Sequence, residues 1–226
     1  TGLSFNNITA LANTVLTLSN DITILGSISG HGSAATFVIN GNNMYVGGGL
    51  STGVNTTISG TTNIILNGTG TISTASSSGN YRNNIEINTA GTITISGTFR
   101  YSVGIFKYTT AGSIVATGSA FTIIGSATLD TAGMTFVNIT TTGAPTLTIN
   151  STLSASGTFL ISATTGNISF LGTAGFSVDT FSCTVTVART LTFKAGVTYT
   201  VTGSLVLKGV STSTRLSLVS STPTTA

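Results

Sequence analysis

The sequence predicts an all-β fold: a single parallel β-helix (solenoid) with irregular rungs of roughly 20–30 residues. Three observations lead there. A strand-and-corner phrase recurs along the chain, apolar and hydroxyl side chains alternate with period two from Ile22 onward, and helix signals are nearly absent.

The phrase sets two apolar residues around a third, then a spacer, a small residue and a hydroxyl. It reads Ile22-Thr23-Ile24-Leu25-Gly26-Ser27, Ile64-Ile65-Leu66-Asn67-Gly68-Thr69 and Ile93-Thr94-Ile95-Ser96-Gly97-Thr98. It returns as Phe121-Thr122-Ile123-Ile124-Gly125-Ser126, Leu147-Thr148-Ile149-Asn150-Ser151-Thr152, Ile168-Ser169-Phe170-Leu171-Gly172-Thr173 and Tyr199-Thr200-Val201-Thr202-Gly203-Ser204. A strand that turns and starts again suits stacked rungs, where inward residues lie on their equivalents in the next coil. A β-sandwich also uses short strands, but its strands have no reason to resemble one another. A membrane β-barrel would want aromatic girdles, and the chain has no Trp.

From the N-terminus, Ile8 to Leu18 reads either as a short helix or as a strand. Its Leu11, Ala12, Val15 and Leu16 have near-helical spacing, while Val15-Leu16-Thr17-Leu18 alternates. Residues 1–21 are therefore a candidate covering element at the start of a solenoid spanning 1–219. Ile85-Glu86-Ile87, Val185-Thr186-Val187, Leu191-Thr192-Phe193 and Leu205-Val206-Leu207 put apolar side chains on one face and polar or outward ones on the other. Two tracts break this rhythm and read as loops: Asn40 to Gly53, with Gly47-Gly48-Gly49, and Thr74 to Asn84, with Tyr81 and Arg82. Residues 220–226 form a Ser/Thr/Pro-rich tail. Only two prolines, Pro145 and Pro223, interrupt ladders that need almost every N–H.

Composition narrows the function classes. Charged residues are 5% of the 226, against about 25% in an ordinary soluble domain. Solubility then rests on hydroxyls and amides, and electrostatic repulsion between copies is weak. The net charge of +3 comes from scattered groups, with none of the Lys/Arg clustering that nucleic acid requires. No apolar run approaches the ~20 residues of a membrane helix, so the chain is not expected to span a membrane by one. The chain begins at Thr1 rather than Met, which favours processing or excision from a longer protein. The single cysteine, Cys183, sits in an alternating run and reads as a buried strand residue.

Catalytic chemistry needs converging groups. Asp21, Glu86, Asp130 and Asp179 are far apart in sequence, and His31 stands alone in Gly30-His31-Gly32. Gly47-Gly48-Gly49 lacks the Lys-Ser/Thr of a phosphate loop. No enzyme, metal or cofactor is expected. The candidate surface contacts are Tyr45, Tyr81 and Arg82, aromatic and basic groups in irregular tracts that would suit glycans. Tyr101 and Tyr108 are expected to pack along Phe99 to Phe106. Thr-x-Thr pairs at Thr92/Thr94, Thr146/Thr148, Thr184/Thr186, Thr190/Thr192 and Thr198/Thr200/Thr202 raise an ice-binding alternative. Asn-x-Ser/Thr sites at Asn7, Asn55, Asn67, Asn138, Asn150 and Asn167 are expected by chance in so hydroxyl-rich a chain.

The stretch Leu191-Thr192-Phe193-Lys194-Ala195-Gly196-Val197-Thr198-Tyr199-Thr200-Val201-Thr202-Gly203-Ser204-Leu205-Val206-Leu207-Lys208-Gly209 resembles β-solenoid repeats of large bacterial surface and filamentous-adhesin-like proteins. Those repeats share an alternating strand, a Gly-Thr or Gly-Ser corner, and Leu-x-Leu-x-Gly. The resemblance implies a secreted or cell-surface protein without catalysis, and it carries over no functional residue. The expectation is a non-enzymatic extracellular structural subunit that forms homo-oligomers or a filament, sheath or surface layer. The alternative is a stalk or glycan-binding segment of a surface adhesin.

Overall fold

The computed structural model describes residues 2–11, 13–30, 36–38, 41–52, 57–59, 63–74, 80–109, 112–116, 119–131, 134–162 and 166–222. Every regular element among them is a strand, and every pairing between strands is parallel. The fold is the predicted parallel β-solenoid. It comprises two compact units, Thr1–Ser119 and Ala120–Ala226, with no linker-like composition at the division.

Unit 1 coils through three short sheets. Its first face stacks Leu3–Phe5, Ile22–Ile24, Met44–Val46, Asn63–Leu66, Asn84–Ile87 and Gly104–Tyr108. The second stacks Ile8–Ala10, Ile28–Gly30, Leu50–Thr52, Gly70–Thr74, Thr92–Ile95 and Ser113–Val115. The third stacks Val15–Thr17, Thr36–Val38, Thr57–Ser59, Asn80–Tyr81 and Thr98–Tyr101. Parallel register places like on like. Leu3, Ile22, Met44, Ile64, Ile85 and Phe106 form one inward column whose members lie 19 to 22 positions apart. From Ile22 to Phe106 this column is buried. Such β-branched and aromatic residues fit the pleat and bury apolar area against the next rung.

Unit 2 has two sheets. A front face stacks Ala127–Asp130, Thr146–Ile149, Ile168–Gly172, Arg189–Phe193 and Leu216–Ser220. Its rungs lengthen along the chain: Ala127, Leu147, Phe170, Phe193 and Ser220 are 20 to 27 positions apart. A bent face holds Ala120–Ile123, Asn138–Thr141, Leu153–Ile161, Phe176–Val185 and Thr200–Gly209, with Thr135–Phe136 pairing the start of Leu153–Ile161. Its long strands turn a corner without stopping, through register shifts between Ala155 and Thr158 and between Val178 and Thr180. A bulge bends a strand while keeping its pairing on both sides.

One open alternative is decided and one expectation changes. Of residues 8–18, which read as helix or strand, the described ones carry two strands, Ile8–Ala10 and Val15–Thr17, which with Leu3–Phe5 make up a rung. Tertiary pairing with Ile28–Gly30 and Thr36–Val38 outweighs a weak helical spacing. The Gly-rich tract from residue 41 to 52 is a rung as well, carrying Met44–Val46 and Leu50–Thr52. Its glycines form the corner between them, because corners of successive rungs press backbone on backbone. A Cβ on Gly68 would strike the Gly47 carbonyl, and one on Gly70 would strike Gly48.

The recurring phrase marks corners in general rather than one corner per rung. In unit 1 it ends first-face strands at Ile24 and Leu66 but a second-face strand at Ile95. In unit 2 it follows a front-face strand at Ile149, forms the end of the next at Leu171-Gly172, and at Thr202-Gly203 is the bend inside a long strand.

Candidate functional site

Corners carry a second structural device. Short polar side chains there accept a backbone N–H from the next rung, 20 to 23 residues on. Asn7 Oδ1 takes Ser27 N at 2.8 Å and Ser27 Oγ takes Gly49 N at 2.9 Å. Asp21 Oδ1 takes Asn43 N at 2.7 Å, Asn138 Oδ1 takes Thr158 N at 2.8 Å, and Asn167 Oδ1 takes Thr190 N at 2.9 Å. Each satisfies a donor that the ladder leaves behind where the chain turns. Three Asn-x-Ser/Thr asparagines, Asn7, Asn138 and Asn167, are therefore structural clips.

The predicted surface contacts separate. Tyr81 is a correction: it is fully buried in the third face of unit 1 rather than displayed on a loop. It pairs with Ile58 and Tyr101, and its hydroxyl donates to the carbonyls of Ser73 (2.7 Å) and Leu50 (3.1 Å). Polar neighbours in sequence hide this, since the apolar environment comes from adjacent rungs. Arg82 beside it is exposed. Tyr45 is half-buried in a different strand, pointing outward between Thr23 and Ile65 in a column that continues to Glu86 and Lys107. Lys107 Nζ and Glu86 Oε1 are 3.5 Å apart, the ion pair among the described residues. A shallow groove runs beside it, lined by Asn63, Asn84, Glu86, Ile105 and Lys107.

The expected packing of Tyr101 is found. Its ring lies 5.8 Å from Phe106 and 6.2 Å from Phe99, and its hydroxyl donates to Asn83 O at 2.7 Å. Burial pushes that phenol far above its ordinary range. Tyr108 is half-buried and donates to Gly112 O at 2.7 Å.

The carboxylates do different jobs. Asp21 clips a corner, Glu86 meets Lys107, and Asp179 is exposed with Thr180 Oγ1 donating to it at 3.2 Å. Among the described residues, no three His, Cys, Asp or Glu side chains come together as a metal site. His31 lies outside the described residues. Cys183 is buried as expected; burial pushes its thiol up, with nearby Arg189 pulling the other way. Arg189 is the feature that sequence reading missed. It is 3% exposed on an inward position, with Nη1 donating to Gly166 O at 3.3 Å. Its polar neighbours Thr190 and Thr192 gave no sign of that, because in this strand the inward positions are 189, 191 and 193.

The threonine pairs do not make one array. Thr92/Thr94 lie on the second face of unit 1, while Thr146/Thr148 and Thr190/Thr192 lie on the front face of unit 2. Register aligns Thr146 with Ser169 and Thr192 but Thr148 with Leu171, which interrupts the second column.

The remaining candidate surfaces are the terminal rungs. At the first, Leu3, Phe5, Leu16, Leu18 and Ile22 line an apolar hollow, with Leu3 64% and Phe5 41% exposed. At the last, Phe193, Tyr199, Leu205, Leu207 and Leu218 line another, with Leu205 61% and Leu218 53% exposed. Among the described residues, the strands Leu3–Phe5 and Leu216–Ser220 each have a strand neighbour on one side only. No helix among the described residues is long and apolar enough to cross a membrane. Comparison with protein-family models, curated proteins and solved structures finds no match to the chain, so the adhesin-like resemblance of residues 191–209 finds no counterpart there.

Proposed function

We propose that the chain is a non-enzymatic structural protein of the extracellular space or cell surface, a β-solenoid subunit that self-associates into a filament, sheath or surface layer. One observation carries this reading: rung after rung stacks in parallel register, apolar residues on apolar residues inside and short polar side chains clipping successive corners, a pattern that extends by the addition of like rungs. Uncharged strand edges pair with other chains unless they are blunted. The low charge of the chain provides little to oppose that. Sedimentation velocity and negative-stain microscopy over a concentration series test it. Species that grow with concentration are the expected result; a strictly monomeric protein at high concentration would sink the reading.

A second reading, a stalk segment of a larger surface adhesin, is favoured by the resemblance of residues 191–209. There the stack of rungs would continue into adjoining solenoid sequence. It predicts a monomer for this chain alone. Sugar recognition would then fall to Tyr45 and the groove beside Glu86 and Lys107, and a glycan array with Tyr45→Ala and Lys107→Ala tests that.

A further inference from the structure

We infer that the outer side of the first face of unit 1 binds a neutral, extended oligosaccharide laid along the coil axis. One sugar sits in the hollow beside Glu86 and Lys107, and the next packs over Ile65 and Tyr45; this rests on the sugar recognition of the adhesin reading above and names its ligand. Asn63–Leu66, Asn84–Ile87 and Gly104–Tyr108 follow one another in successive rungs and bury Ile64, Ile85 and Phe106. Alternation then turns their neighbours outward. Parallel register sorts those neighbours into two columns. One runs Tyr45, Ile65, Glu86 and Lys107; the other runs Asn63, Asn84 and Ile105. The hollow beside them is about 180 Å³, room for one sugar ring.

The polar groups there are held in place with bonding capacity to spare. Asn84 Nδ2 donates to Asn63 Oδ1 at 3.1 Å, and Asn84 Oδ1 accepts from Ile105 N at 3.0 Å. These bonds fix how both amides face, and Asn63 Nδ2 has no acceptor among the described residues. Glu86 Oε1 lies 3.5 Å from Lys107 Nζ, with the glutamate side chain 18% and the lysine 41% exposed. Sugar hydroxyls both donate and accept, so neighbouring hydroxyls answer Glu86, Lys107 and Asn63 together. Ile105, 42% exposed, gives the C–H face of the ring an apolar wall. The ion pair selects against charge. An acidic sugar meets Glu86 and a basic one meets Lys107, and either must break the pair to bind.

The column supplies the direction. Rungs lie about 4.7–4.9 Å apart, close to the advance per sugar of an extended, equatorially linked glycan. An axially linked chain curls away from so straight a track. Tyr45 stands one rung before Ile65, half-buried and facing outward, where its ring meets the second sugar.

Calorimetric titration of the full chain with cellobiose, cellotetraose, maltotetraose and tetragalacturonate tests each feature. Cellotetraose is expected to bind, maltotetraose roughly fivefold more weakly, and tetragalacturonate not at all. Glu86→Gln keeps the shape and is expected to lower cellotetraose affinity about five- to twentyfold. By freeing Lys107, E86Q is also expected to admit tetragalacturonate. Tyr45→Ala is expected to lower cellotetraose affinity roughly three- to tenfold while leaving cellobiose unchanged. Thermal unfolding checks that both variants are folded. Cellotetraose binding that neither variant changes puts the sugar elsewhere and overturns the inference. A chain that instead binds acidic or branched glycans through Tyr45 and Lys107 overturns the neutral, extended ligand and leaves sugar recognition standing. No binding to any of the four probes or to a glycan array overturns both.

Discussion

Asn138 Oδ1 accepts the backbone N–H of Thr158 at 2.8 Å, twenty residues further along the chain. This bond sits where the bent face of unit 2 turns and the ladder slips, beside a second bond from Gly157 N to Val137 O at 2.8 Å. A short amide side chain thereby replaces the ladder acceptor lost at the bulge. Asn138→Ala removes the acceptor and is expected to cost about 1 kcal/mol, a net figure because the site is exposed and water competes. Asn138→Asp keeps an oxygen in place and is expected to lose less. Urea midpoints for the two variants check the order; equal losses would assign Asn138 no clipping role.

Glycines at corners divide into two kinds. Gly68 and Gly70 abut the backbone of Gly47 and Gly48, whereas Gly97 has φ +64° and open space around its Cβ direction. Gly68→Ala is expected to cost about 1–3 kcal/mol through forced separation of rungs. At Gly97, Asn is expected to be tolerated better than Val, since only backbone conformation is at stake there. Thermal unfolding of the four variants, with G70A added, separates the two causes.

These contrasts show what was legible in the sequence. Alternation at Ile22-Thr23-Ile24 or Leu191-Thr192-Phe193 exposes the strand, its buried face and the stacking of like residues, because period two is a local property. The glycine tract from 47 to 49 and the burial of Tyr81 are not local. They depend on which residues of the rungs above and below arrive at the same corner, and insertions vary that by several positions per coil. Arg189 illustrates the same limit, since its inward position follows from the register of its strand, with Leu191 on Ile168, rather than from its neighbours in the chain.

Phe170 is the hub of an aromatic cluster in unit 2. Its ring lies 5.9 Å from Phe159, 5.6 Å from Phe176 and 5.2 Å from Phe193, and it is fully buried. Phe170→Ala is expected to destabilise unit 2 by about 3–5 kcal/mol, because the rungs hold the cavity open from both sides. Tyr45→Ala, on an outward column, is expected to change stability by less than about 0.5 kcal/mol. In a solenoid each rung contacts only its neighbours, so the loss is expected to be regional. Hydrogen exchange should show lowered protection in residues 146–193 of F170A, with unit 1 unaffected.

Alkaline pH provides the last test. Cys183, Tyr101 and Tyr199 all hold their protons to higher pH in the fold than in water, chiefly because of burial, and for Tyr199 the N–H of Lys194 at 3.0 Å offsets part of that. Once the pH passes their ordinary values, 9.0 for the thiol and 10.0 for the phenols, the unfolded chain gives up protons that the folded chain keeps. The unfolded state then binds fewer protons, and stability falls as pH rises. These groups therefore leave stability flat near neutrality and lower it progressively above about pH 9. Cys183→Ala is expected to flatten the onset of the fall, and Tyr199→Phe its continuation above pH 10. Tyr101→Phe also removes the 2.7 Å hydrogen bond from this hydroxyl to Asn83 O, so its curve should start lower at neutral pH and decline less steeply. Urea midpoints from pH 7 to 11 measure all four chains; a slope unchanged in all three variants would place the alkaline loss in other groups.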